Sequence, residues 1–524
     1  MFKRVSRPLA LLAVAALAAC NGGGGSSTPS AVPPQSGSAI LNTIVGVGDS
    51  LTAGEQSGGL LGVPTTSPFT VVPGNLVPPT QTNGWWALFY AQAKGIALDP
   101  ASYNVATAIG NPSTSPLPLI KAPGIGAILV IGNASSPTPG APTATHSPCD
   151  SFNQAAYSAS TALSVVRVNP AGTVYDVAIP GQTAHEALYQ IAPLTGPPTG
   201  PGCTFPSSPT DATAGALQTL VNDESVPFYP IIAPFAAHLT TPSQVDAAVS
   251  LHPTLATVWL GANDLLKFTF SGGNMVASNT PLQMQADITT TIQRLQNAGS
   301  RVVVANLPDI LHTAQFFQGG VPAGLPAVCQ VNNYFFCAVA NALSQNPATA
   351  PVANTVAANA TATIGAAPYN VGAGAYLTET GFFNALQQII AGVQGGNLNP
   401  SITLNPGDFL PAAFATQVQG LNDSYNASIA AAATATGAGL VDINGIFKQI
   451  YAGTFPGQFI STKCCSLVFG GGLLSWDGLH PSDTGYAFLA NAFIGEADAK
   501  YGLSIPPLSP TTVLTINAYD TYHF

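Results

Sequence analysis

The chain is short of charge. Only 6% of its residues are charged, against about 25% in an ordinary soluble domain. It carries 12 Lys+Arg against 22 Asp+Glu, a net charge of −10. Nucleic-acid binding needs clustered cations, so that class is excluded. Electrostatic docking on anionic lipid is disfavoured for the same reason. Long apolar runs are missing beyond the first twenty residues, and no later segment reads as a transmembrane helix. The cysteines have no histidine at ligand spacing, which argues against a zinc site. With so little charge, the polar surface has to come from Ser, Thr, Asn, Gln and backbone. What is plentiful is apolar side chain, 46% of 524 residues, enough for a sizeable core. Gly 53 and Pro 46 imply long stretches of loop.

The N-terminus reads as a targeting segment. Lys3, Arg4 and Arg7 precede an apolar stretch, Leu9 to Ala19, too short to span a bilayer. Residues 1–19 are therefore expected to be a signal peptide. Leu17-Ala18-Ala19-Cys20 resembles a bacterial lipobox. That resemblance implies cleavage before Cys20, which becomes the lipidated N-terminus; the alternative is an ordinary signal peptide with an incidental Cys20. Residues 20–38, rich in Gly, Ser and Pro, suit a flexible tether. Asn21 after the cysteine resembles the sorting signal for the outer membrane. The expected location is the bacterial cell envelope, with the membrane reached through the lipid anchor. Cys149, Cys203, Cys329, Cys337, Cys464 and Cys465 remain, an even set that favours disulfides in an exported chain. Cys329 with Cys337 and Cys149 with Cys203 are candidate pairs. Cys464 and Cys465 are adjacent, with Cα atoms about 3.8 Å apart, closer than disulfides usually allow.

Short apolar runs then alternate with helical patterns. Strands are expected at Ile44–Val47, Thr173–Ile179, Thr254–Leu260, Arg301–Asn306 and Gly439–Ile443. Helices are expected at Asn83–Lys94, Gln182–Gln190, after the Thr280-Pro281 start, around Val418–Ile429 and after Ser482. Such alternation reads as a parallel sheet covered on both faces. One domain over residues 39–505 is expected, with insertions near 56–81, 104–150, 192–228 and 313–410 and a tail at 506–524. In an open α/β sheet many of these insertions surround the crevice at the carboxyl ends of the strands.

The chemistry gathers at strand ends. Gly48-Asp49-Ser50 follows the first strand at once, a turn that displays Ser50 as an attacking serine must be displayed; the plain alternative is Ser50 as a helix N-cap. Trp476-Asp477-Gly478-Leu479-His480-Pro481 precedes the last helix. Its Asp and His, three apart, can orient each other as a base and its carboxylate. Asp309 and His312 share that spacing and are the rival pair. The remaining histidines, His146, His185, His238, His252 and His523, have no such neighbour and read as structural or surface groups. Oxyanion donors are also needed. The Ser50 N–H, the Gly181 N–H and the Asn263 side-chain amide each sit just past a strand.

Gly48-Asp49-Ser50-Leu51, Gly181, Gly261-Ala262-Asn263-Asp264 and Asp477-Gly478-Leu479-His480-Pro481 resemble, in order, the four blocks of the GDSL or SGNH hydrolase superfamily. The resemblance implies a three-layer α/β/α, flavodoxin-like fold and hydrolysis of carboxylic esters with no metal or other cofactor. It makes Ser50 the nucleophile, His480 the base, Asp477 its orienting partner, and Ser50, Gly181 and Asn263 the oxyanion hole. The chain exceeds a minimal family core by its insertions, and in this family such loops choose the substrate. Few charges and many Phe, Trp, Leu and Pro in the loops suit apolar acyl esters, hence an esterase or lipase. A carbohydrate O-acetylesterase is the alternative enzyme, and a non-catalytic binding lipoprotein on the same fold is the alternative outside enzymes.

Overall fold

Four apolar runs become the parallel strands of one sheet. The computed structural model describes residues 39–57, 59–66, 76–102, 104–121, 167–190, 231–232, 235, 239, 242–319, 335–405, 407–458, 464–467, 471–475 and 477–520. In chain order the strands used below are β1 (Ile44–Gly48), β2 (Leu255–Trp259), β3 (Arg301–Ala305), β4 (Phe316–Gln318), β5 (Tyr376–Thr378), β6 (Phe409–Leu410) and β7 (Gly439–Val441). The helices are α1 (Ser50–Ala53), α2 (Trp85–Lys94), α3 (Ala184–Tyr189), α4 (Gln244–Ser250), α5 (Ala262–Phe270), α6 (Pro281–Asn297) and α7 (Phe335–Ser344). They continue with α8 (Ala353–Gly365), α9 (Glu379–Gln394), α10 (Ala412–Thr436), α11 (Ile443–Tyr451), α12 (Asp483–Tyr501) and α13 (Pro510–Tyr519).

The main sheet runs β1-β2-β3-β7, all parallel. The stretch at 173–179 is not a regular strand. It joins the free edge of β1 through one parallel bridge, Gly46 to Asp176. Three bonds hold it there: Gly46 N to Tyr175 O at 2.9 Å, Val177 N to Gly46 O at 3.0 Å and Ile179 N to Gly48 O at 3.0 Å. Counting that edge, the spatial order by sequence is second, first, third, fourth, fifth. This is the flavodoxin-like order, whose direction reverses beside the first strand.

Strand period decides the layers. Val45, Val47, Ala256, Val258, Val302 and Val304 point to one face, against α4, α6 and α10. Ile44, Leu255, Trp259, Val303 and Val441 point to the other, against α2, α11 and α12. Full burial of each large apolar side chain stabilises by about 1.5–3 kcal/mol. Trp85 stacks on Phe493 at 3.8 Å between ring centroids, locking α2 to α12.

The insertion near 313–410 builds a unit of its own. β4, β5 and β6 form a small antiparallel sheet. With α7, α8 and α9 it encloses a separate core that includes Phe317, Phe335, Val356, Leu377, Phe382 and Ile389. The tail is not loose over 510–519 either. α13 buries Val513 and Ile516, and Asp520 accepts from the Thr484 N–H at 2.8 Å and its hydroxyl at 2.7 Å. Cys464 and Cys465 are disulfide-bonded across a cis peptide. Cys337 is also disulfide-bonded. Cys20, Cys149, Cys203, Cys329 and the signal and tether segments lie outside the described residues. Among the described residues no helix is long and apolar enough to cross a membrane.

Candidate active site

Ser50 is the first residue of α1, directly after β1. Asp49, not Ser50, caps that helix, its Oδ1 accepting the Leu51 N–H at 3.0 Å. The cap therefore leaves the Ser50 hydroxyl free for other work. Gly48 is required by close packing: a Cβ there would come within 3.0 Å of the Trp259 carbonyl and closer still to Thr52. The Gln244 amide donates to the carbonyls of Gly48 at 2.6 Å and Val177 at 3.0 Å, tying together the ends of β1 and its edge neighbour.

His480 comes from the loop before α12. Ser482 caps α12 by accepting the Gly485 N–H at 3.2 Å. The loop is cinched by Ser475 N to His480 O at 2.7 Å and Gly478 N to Ser475 O at 2.9 Å. Gly478 has φ +70°, and a Cβ would meet the Ala314 backbone at 3.0 Å, so only glycine fits there. Asp477 Oδ1 accepts the N–H groups of Leu479 at 2.9 Å and His480 at 2.8 Å, and the Ser475 hydroxyl donates to it at 3.2 Å. Its other oxygen, Oδ2, lies 2.8 Å from His480 Nδ1. His480 Nε2 lies 2.9 Å from Ser50 Oγ. Residues 430 positions apart thus form one unbroken chain of hydrogen bonds.

Burial and charge set the titration of this chain. Burial alone would push the His480 imidazole down; the carboxyls of Asp477 and Glu55 outweigh it and raise it to about 9. Burial acts against the Asp477 carboxylate too, but His480 beside it holds it below its usual range. Burial lifts Asp49 to about 7, against its Leu51 hydrogen bond, and burial also lifts Glu55.

Two of the three expected oxyanion donors flank Asp49: the Ser50 N–H follows it in the chain and the Asn263 amide bonds to it. Gly181 lies two residues past Ile179, the residue paired to Gly48, and has φ +78°. Its N–H and that of Ser50, the latter at the first helical position, have no acceptor among the described residues. The Asn263 amide sits at the start of α5 and donates to Gln182 O at 3.1 Å and Asp49 Oδ2 at 3.3 Å. Asp264, raised to about 8 by burial, accepts the Ala184 N–H at 3.0 Å and so fixes the start of α3.

Asp309 Oδ2 and His312 Nδ1 also lie close, 3.2 Å apart, but without hydrogen-bond geometry. Their imidazole stacks on Tyr451 at 3.7 Å between centroids, and no serine hydroxyl contacts it among the described residues. His185, without an aspartate at that spacing, has a distant carboxylate partner, Asp287, at 3.0 Å. That partner lies 102 residues along the chain, brought there by tertiary packing. Glu55, Gln182 and Ser475 also belong to the site and carry no local signal. Among the described residues no group of three or more His, Cys, Asp or Glu could hold a metal ion.

A doubly wound parallel sheet of this order makes the chain an α/β protein, with serine, histidine and aspartate linked in series at the carboxyl end of its first strand. The family model described as GDSL-like Lipase/Acylhydrolase matches residues 44–493, and the chain belongs to that family. It is thereby a hydrolase of the esterase and lipase type. No curated protein and no solved structure gives a significant match.

Proposed function

We propose that the protein hydrolyses carboxylic esters through Ser50, His480 and Asp477. The hydrogen-bonded run from Ser50 Oγ to His480 to Asp477 carries this reading. With its Nδ1–H given to Asp477, the imidazole presents a bare Nε2 to the serine hydroxyl. Ser50 attacks the ester carbonyl as His480 takes its proton. His480 then passes that proton to the departing alcohol, leaving an acyl group on Ser50. Water, deprotonated in turn by His480, attacks the acyl carbonyl and releases the acid. Asp477 stays ionised, orienting the ring and stabilising its positive form. The oxyanion of each tetrahedral intermediate is received by the N–H groups of Ser50 and Gly181 and the amide of Asn263. A profile over p-nitrophenyl esters of rising chain length, beside acetylated xylan, tests the activity and its substrate class. No turnover of any ester would overturn it.

Asn263 must turn a hydrogen from Asp49 or Gln182 toward the oxyanion. The bond is worth most in the transition state, where the oxygen is charged. Asn263→Ala should lower kcat by about 10²–10³ with little change in KM. A less stable but fully active variant would remove Asn263 from the site.

The base works only when neutral. Activity is therefore expected to rise with pH through the raised His480 titration, near 9, and to be lost below it. The Glu55 carboxyl contributes to that raise. Glu55→Gln should move the acid limb of the kcat/KM profile to lower pH, and an unmoved limb would exclude Glu55 as its cause.

The same reading extends to the cell envelope. Residues 1–19 are taken as a signal peptide, Cys20 as the lipidated residue, 20–38 as the tether and the outer membrane as the location. Cys20→Ser should then release the protein into the soluble exported fraction. Retention of that variant on membranes would assign the anchor elsewhere.

A further inference from the structure

Arg167 stands apart in a chain with only 12 Lys+Arg. It is 5% exposed, yet among the described residues no carboxylate pairs with it. A buried charge is normally neutralised by a partner. Here two backbone carbonyls do what they can. Nη2 donates to Gly172 O at 2.6 Å and Nη1 reaches Pro170 O at 3.5 Å. A guanidinium has five N–H donors in a planar fork, so most of its capacity is left over, and its Nε has no acceptor. Burial pushes its titration down to about 10, still leaving it cationic at neutral pH.

Arg167 lines a cleft of about 230 Å³ beside the edge stretch at 173–179. The frame is rigid: Arg167 bridges Ile120, Val168 N donates to Leu119 O at 2.8 Å, and Tyr175 N donates to Pro116 O at 2.7 Å. Leu119 and Tyr175 give the cleft an apolar wall; Ser113, Thr114 and Asn169 supply neutral polar groups. No acidic side chain lines it. None of its residues belongs to the Ser50–His480–Asp477 chain.

We infer that this cleft binds a small organic oxyanion, a carboxylate or phosphate head on a carbon body no larger than one sugar ring. The planar guanidinium fork matches either head. The hydroxyl and amide groups suit a polyhydroxylated body, and the Leu119–Tyr175 wall takes its carbon face. The volume falls below the usual range for drug-sized ligands, which sets the upper size. The site is independent of the ester-hydrolysis reading.

The test is calorimetric titration of the purified protein with glucuronate, glucose 6-phosphate and glucose at matched ionic strength. At least one of the two anions should bind saturably at one site, and neutral glucose should not. Whichever anion binds more tightly identifies the head. Arg167→Met should abolish that binding. Thr114→Trp, a change on the exposed rim, should block the cleft while leaving the melting temperature and ester turnover as in wild type. This second variant keeps the inference falsifiable if Arg167→Met fails to fold. Absence of saturable binding of both anions to wild type, binding of glucose as tight as theirs, or undiminished binding in Thr114→Trp would each overturn it.

Discussion

Ser50→Ala protein is expected to fold as wild type and to lose about six orders of magnitude in kcat, the scale seen when a serine triad loses its nucleophile. The fold should survive because the helix cap is made by Asp49, whose bond to the Leu51 N–H does not involve the serine. The α1 backbone and the packing of Gly48 on Trp259 are likewise untouched. What disappears is the one hydroxyl in contact with His480 Nε2. Circular dichroism and a melting curve, taken on the same preparation as the turnover assay, check both halves. Wild-type turnover by the folded variant would remove Ser50 as the nucleophile and with it the proposed mechanism.

The second large effect separates two Asp–His pairs of identical spacing. His480→Ala should be as damaging as Ser50→Ala, and the double variant no worse than either. Residues that act as one unit are not additive, since losing any member removes the same step. His312→Ala should keep its turnover. It gives up a stack on Tyr451 and a pairing with Asp309, a loss of about 1 kcal/mol of stability for an aromatic contact of this kind. Purified single variants assayed on one p-nitrophenyl ester decide the matter. The reverse ranking would move the active site to Asp309 and His312.

Much of this protein could be read along the chain because its signals are local. The apolar run ending in Gly48-Asp49-Ser50 fixes a strand and the turn that follows it. Asp477 and His480, three residues apart on a glycine-containing loop, are close enough to orient each other whatever the rest of the chain does. Thr280-Pro281 and Ser482 start helices by bonds within a few residues, and the structure has α6 and α12 starting just there.

Other features are not local, and only burial of the whole sheet decides them. Asp309 and His312 satisfy the same spacing rule and also come close, at 3.2 Å, though without the hydrogen bond that joins Asp477 to His480. Pro481 and the Ser482 helix cap mark out the second pair along the chain, but they do not bring a serine to it. The order of the strands does, because α12 packs on α2 behind β1 and carries the loop of His480 to Ser50. The edge stretch at 173–179 was legible as extended, but its place beside β1 depends on a pairing with Gly46 more than a hundred residues earlier. The partnership of His185 with Asp287 arises in the same way, from the packing of α3 on α6. The long insertion follows suit: its Phe and Leu side chains close a core that no periodicity announced. Sequence spacing determines what neighbours along the chain can do to each other. Which distant groups share a site is set by the one arrangement of strands and helices that buries both apolar faces of the sheet.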